Sequence, residues 1–338
     1  MTGAGRYAEL AAATHSFKAE LLQPAQLERL IETGSLAETV SAITGGHITS
    51  VAESDLSPVE AYLIHNVIAL AQRLSSYAPH DSRPLISLFA GSFELECVKA
   101  ILNASAAKLN AEEALRHIVP AGKFTLDLCK DLIEAHNPTR VVESLDDESF
   151  RRFLIPKLSG EGASIQTISA IDQYYFGKLW RASNLPDPLD AQSAKGLIGE
   201  AIDHVNILVP FRATLMGLDA RSASAMMVPV NYGLGQSFDE LPEASNVQNV
   251  TRILEKTRYA HILETATTDA AAVEFALNRS HAMTCVNTFA GSPFNVGLAL
   301  AFLFLKNYEL RDLFGLINAK ANNVASERIL QSLILYKN

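Results

Sequence analysis

The sequence predicts an all-α protein, and three observations carry that expectation. Apolar residues recur at a spacing near 3.6 along most of the chain, the period of one helix face. Leu and Ala dominate while Gly (18) and Pro (13) are modest, a balance that suits helix interiors. No convincing run of residues alternates apolar and polar as a half-buried strand would.

Taken in order, "PVEAYLIHNVIALAQRL" (Pro58 to Leu74) places Val59, Leu63, Val67 and Leu70 on one stripe. "TISAIDQYYFGKLWRA" (Thr167 to Ala182) does the same with Ile171, Tyr175 and Leu179. Breakers separate such segments: Gly45-Gly46, "PAG" at Pro120, "PDP" at Pro186, and "NYGLGQSFDELPEASN" from Asn231. Near the end stands "VGLALAFLFLKNYELRDLFGLI" (Val296 to Ile317), whose first ten residues carry no charge. A helix apolar on every face is buried between others. Ten residues fall short of the roughly 20 that cross a bilayer, so no span is expected. Leu310, Leu313, Phe314 and Ile317 continue one stripe, and Glu309, Arg311 and Asp312 are expected to emerge toward water.

A weak internal repeat runs through these helices. One acidic position recurs as Glu60, Asp172 and Glu274, and a second as Glu94, Asp203 and Glu309, spaced 34, 31 and 35 residues from the first. Apolar columns accompany the second acid: Leu85/Leu88/Phe89, Ala194/Leu197/Ile198 and Leu300/Leu303/Phe304 before it; Val98/Leu102, Ile207/Phe211 and Leu313/Ile317 after it. "TRVVE" (Thr139 to Glu143) is echoed by "TRILE" (Thr251 to Glu255). The period of about 107 residues exceeds those of the short helical repeats, which run about 33 to 47. We therefore expect three similar helical domains, residues 1–115, 116–223 and 224–338, with approximate three-fold pseudo-symmetry.

Composition limits the function classes. The chain has 338 residues, 48 % of them apolar, and a formal net charge of −9, which suits a well-filled interior and disfavours general binding to nucleic acid or anionic lipid. Cys97, Cys129 and Cys285 are too far apart for a metal pair or a disulfide framework, which fits a reducing cytosol. The first residues lack the pattern of a signal peptide.

Motifs for chemistry are thin. The nine histidines form no HExxH and no Cys/His ligand spacing. His204 beside Asp203 could be an acid–base couple, but adjacent helical residues point about 100° apart, and a structural histidine is the simpler reading. "GAG" (Gly3 to Gly5) and "YGLGQS" (Tyr232 to Ser237) lack the features of a phosphate cradle. "FAGS" at Phe89 and Phe289 lacks the GxSxG of a nucleophile turn. "YYF" (Tyr174 to Phe176) reads as core. The recurring acids could complement helix dipoles, yet their repetition points to architecture. No catalytic, cofactor-binding or metal-ligating residue is assigned.

"DHVNILVPFR" (Asp203 to Arg212), "SPFNVGLALAFLFLKNYELRDLFGLINAK" (Ser292 to Lys320), "LEKTRYAHIL" (Leu254 to Leu263) and "IDQYYFGKL" (Ile171 to Leu179) together resemble the central-stalk subunit of V-type and A-type rotary ATPases, the C subunit in prokaryotes and the d subunit in eukaryotes. Agreement from Arg6 to Leu115 is weaker. Cys97 and Asp312 stand where the family's acid-x-x-Asn pattern has Asn, and Pro210 is expected to break and kink the second unit's helix. The resemblance implies a funnel of three helical domains with no nucleotide site and no reaction of its own. It would sit on the cytoplasmic face of a membrane proteolipid ring, with the axle coiled coil and its small companion subunit in its mouth. The rival expectation is an all-helical scaffold unrelated to ATPases.

Overall fold

The computed structural model describes residues 3–158, 165–263 and 269–335. Among the described residues the chain is helical, with only two isolated bridges, Ala52 with Asp55 and Ala121 with Phe124. Six long helices make three hairpins. Helices α1 (Gly3–Lys18), α2 (Pro24–Glu32) and α3 (Leu36–Ile43) lead into the first, α4 (Ser57–Tyr77) with α5 (Arg83–Ala106). Helices α6 (Ala111–Leu115), α7 (Leu126–Glu134), α8 (Pro138–Glu143) and α9 (Glu148–Leu154) lead into the second, α10 (Ile165–Ala182) with α11 (Pro188–Leu215). Helices α12 (Ala220–Met226), α13 (Ser237–Glu240), α14 (Val247–Leu254) and α15 (Ala260–Leu263) lead into the third, α16 (Ala270–Thr288) with α17 (Val296–Ala321), and α18 (Ser326–Ser332) follows.

Local chemistry marks the helix starts. Proline in the first turn begins α2, α4, α5, α8 and α11, where its missing N–H is not needed and its fixed φ suits the helix. Side chains of Thr125, Asp187, Asp269 and Asn295 accept backbone N–H groups at the starts of α7, α11, α16 and α17, satisfying donors that the first turn leaves free.

The hairpins pack in sequence and close on themselves. The second helix of each lies on the first helix of the next: α5 on α10, α11 on α16, and α17 back on α4. One hydrophobic cluster runs from α1 to α18, with a smaller one beneath α11, α14 and α16. Every residue from Val296 to Leu303 is buried. The apolar half of α17 contributes to the packing of α1, α4, α5, α11 and α16, which is why it needs no polar face.

Two expectations are overturned. Glu309 and Asp312 do not emerge toward water; each is only 3 % exposed, and of the three charged residues named only Arg311 is exposed. Both carboxylates face backbone N–H groups of distant segments, described below. Nor does Pro210 break its helix: α11 runs from Pro188 to Leu215 as one element. Burial of Leu208, Val209, Phe211 and Ala213 on both sides offsets the lost intrahelical bond.

Candidate functional site

Each set of three recurring acids does one job, once per hairpin. The first acids tie each hairpin to the one before it. Asp172 on α10 pairs with Lys99 on α5 (2.5 Å). Glu274 on α16 pairs with Arg212 on α11 (3.1 Å) and with Arg311 of its own hairpin (3.3 Å). Glu60 on α4 accepts the Asn318 amide of α17 (3.2 Å). Arg212 and Asn318 stand at the same offset from Asp203 and Glu309. Only Glu60 lies in the first turn of its helix, so helix-dipole complementation does not explain the other acids.

The second acids hold loops. Glu94 accepts the Lys123 N–H (3.0 Å), and Asp203 those of Tyr232 (3.3 Å) and Gly233 (2.6 Å), with the Tyr259 hydroxyl at 2.7 Å. Glu309 accepts the Leu22 N–H (2.6 Å) and pairs with Lys306. The third loop thus comes from the beginning of the chain, so the pattern wraps around. Glycine is needed at two of these approaches: a Cβ on Gly122, at φ +57°, would strike the Glu94 side chain, and one on Gly233 would meet Arg258 and Asp203. Asp203 is fully buried; burial pushes its carboxyl up, opposed by the Tyr259 hydroxyl and the two loop N–H groups.

One turn further along, three different residues hold equivalent segments. The Cys97 thiol donates to the Val119 carbonyl (3.0 Å). The Asn206 amide donates to the Val228 and Val230 carbonyls and accepts the Val228 N–H (2.7 Å). Asp312 accepts the N–H groups of Ile334 (2.7 Å) and Leu335 (2.9 Å). The Cys97–Val119, Asn206–Val228 and Asp312–Ile334 contacts all span 22 residues. This fixes the register of Cys97 and Asp312 against Asn206. The sequence carried a signal for it: Val119-Pro120 and Val228-Pro229 repeat at the held segments. Burial pushes the Asp312 carboxyl up to about 6, against the pull of the two N–H groups.

Between the hairpins lies a cavity of ≈ 670 Å³ to which all six long helices contribute. Its wall includes Phe93, Tyr175, Phe176, Leu208, Phe304 and Phe314, set among the charged groups of the Lys99–Asp172 and Arg212–Glu274–Arg311 contacts. The lining falls in the middle turns of α5, α10 and α17, the later half of α11 and the earlier half of α4 and α16, away from the hairpin turns. Toward those turns the apolar half of α17 fills the space.

The remaining sequence candidates are placed as follows. His204 is buried beside His281, and its Nε2 has no hydrogen-bond partner. Burial pushes the imidazole pKa well below the usual range, reinforced by His281 and Arg258. His204 and Asp203, adjacent on α11, face different partners. Tyr174 donates to Asp147 (2.6 Å) as part of the core, whereas Tyr175 and Phe176 line the cavity. Phe89 lies within α5 and Phe289 at the α16–α17 turn, so the two FAGS segments are not equivalent. All three cysteines are buried and free. Among the described residues, no helix is long and apolar enough to cross a membrane.

Sequence similarity to known proteins extends over most of the chain. The A-type ATP synthase C subunit of Methanocaldococcus jannaschii is 27 % identical, covering 97 % of this chain and 86 % of that protein. Those of Methanosphaera stadtmanae and Pyrococcus abyssi are 27 % and 22 % identical, each covering 93 % of this chain and 84 % and 86 % of theirs. The profile of the family described as ATP synthase (C/AC39) subunit matches residues 10–332, and the chain belongs to that family.

Proposed function

We propose that this chain is a non-catalytic rotor subunit in the central stalk of a V/A-type ATPase. It links the axle and its small companion subunit to the proteolipid ring on the cytoplasmic face of the membrane. In that place it transmits torque for ATP-coupled proton or sodium transport. Three similar domains, residues 1–115, 116–223 and 224–338, surround an approximate three-fold axis; because α12 crosses the second boundary, that boundary is better set after Met226.

The observation that carries this reading is the cavity with all six long helices in its wall. A socket for an axle needs a hole on the rotation axis and a wall that does not shear. The second requirement is met by dense helical packing and by acid contacts at each of the three joints. These contacts are half-buried to exposed, so they fix geometry more than they add stability.

Reconstitution tests the reading. The chain is expected to form a stable assembly with the axle subunits and the ring. In membranes lacking it, the soluble head should keep hydrolysing ATP while ion pumping falls to background. Pumping that persists without the chain, or failure to assemble, would overturn the proposal and leave a helical scaffold of another kind.

A further inference from the structure

Helix α1 stands outside the recurrence. In the first two cases the segment held by Cys97 or Asn206 runs directly into the loop held by Glu94 or Asp203: Val119 leads to Lys123, and Val230 to Gly233. At the third joint the corresponding pieces come from opposite regions of the chain. Asp312 holds Ile334 and Leu335, while Glu309 holds Leu22. The residues before Leu22 form α1, an element for which the other two joints have no room.

This helix reaches all three hairpin turns. Its buried face is Tyr7, Leu10, Ala11, Thr14 and Phe17, one stripe at helical spacing. Arg6 pairs with Asp81 in the α4–α5 turn. The Tyr7 hydroxyl donates to Asp190 Oδ2 (2.7 Å) in the first turn of α11. The other oxygen of Asp190 accepts the N–H of Val296 (3.1 Å), the first residue of α17. At its far end, the Lys18 ammonium lies 4.0 Å from the centre of the Phe289 ring in the α16–α17 turn, and the His15 ring meets the same ring edge-on. Asp81, Asp190 and Val296 stand at one common offset before Glu94, Asp203 and Glu309. Three equivalent positions therefore converge under the start of one helix.

We propose that α1 is a keystone, docked across the three hairpin turns, which makes that end of the body move as one piece. When α1 undocks, the turns move independently while the three hairpins stay folded. The coupling passes through Asp190, which accepts from Tyr7 with one oxygen and from the start of α17 with the other. The idea stands on these contacts and does not require the rotor reading.

Amide hydrogen exchange on the full chain tests it. Tyr7→Phe removes one hydroxyl and keeps the ring. Loss of one buried hydrogen bond is expected to speed exchange about fivefold, both in the 183–190 segment and at the Val296 amide. Arg6→Ala with Tyr7→Phe should extend the loosening to residues 78–83, and deletion of residues 1–18 to all three turns at once. Exchange at the loops held by Glu94 and Asp203 should stay unchanged throughout. Unchanged exchange at Val296 in Tyr7→Phe would overturn the proposal. So would loosening confined to the residues that α1 itself touches. If the larger changes unfold the chain, the single hydroxyl still decides.

Discussion

Where α11 meets α16, the joint is lined by His204, Glu200 and His281. At the same positions where α17 meets α4 stand Leu310, Lys306 and Val67, and where α5 meets α10 stand Leu95, Gly91 and Leu179. One helix geometry therefore accepts either a hydrocarbon contact or a polar one. The polar version works for His281, whose Nε2 donates to the Leu197 carbonyl (3.1 Å) while Nδ1 faces the Tyr308 hydroxyl (2.8 Å). It works for Glu200, which faces Arg258 (3.4 Å) and Thr284 (3.3 Å). His204 is the unfinished member, with its nearest acid, Glu200, 3.9 Å away. Packing sets where helices meet; side-chain chemistry then has to satisfy its own donors and acceptors.

The sharpest way to break this comparison is to remove the second acid at the polar joint. Asp203→Ala strips acceptors from Tyr232, Gly233 and the Tyr259 hydroxyl in a buried site. The expected loss is about 3–5 kcal/mol in denaturant unfolding, since buried donors stay unsatisfied. Glu94→Ala releases one N–H in a half-buried place and should cost about 1 kcal/mol. Equal losses would mean that the two acids do not differ in burial as the comparison requires.

A smaller effect should appear as pH dependence at the third joint. The folded Asp312 carboxyl, raised to about 6, contributes stability that is complete below the unfolded value near 3.9 and is lost as pH rises through about 6. Stability of wild type relative to Asp312→Asn should fall by about 2 kcal/mol between pH 4 and pH 7. A difference that does not change with pH would remove burial as the dominant influence on Asp312.

The smallest change is expected from His204→Leu, which installs the residue type found at both equivalent positions. At pH 7 the difference from wild type should stay within about 1 kcal/mol, because no hydrogen bond of the His204 Nε2 is lost. Between pH 7 and pH 5 the variant should gain stability relative to wild type. The depressed histidine keeps its stability above pH 6.5 and loses it as pH falls, when the unfolded chain takes up a proton that the folded one refuses. Thermal melts at the two pH values measure both; a variant that gains nothing on wild type between pH 7 and pH 5 would show that His204 is held by something more than packing.

Much of the helical frame was legible in the sequence because helix faces write their burial into the 3.6-residue period. The six recurring acids were legible too, since a carboxylate inside an apolar column is conspicuous. Their partners were not. Glu94, Asp203 and Glu309 hold backbone N–H groups, which every residue but proline carries, so the loops they hold have no side-chain signature. For the same reason Glu309 and Asp312 read as solvent-facing. The equivalence of Cys97, Asn206 and Asp312 was obscured by chemistry, because one donates, one does both and one accepts. The cavity lay beyond periodicity altogether, since its wall is assembled from six helices.

The hydrogen bond from Leu22 to Glu309 joins residues 287 positions apart. During synthesis the loop at Leu22 leaves the ribosome long before its acceptor exists. The first hairpin must therefore wait, partly unsealed, until nearly the whole polypeptide has been made. Ring closure becomes the final step of folding, and a prematurely terminated chain would leave its opening segment without a place to settle.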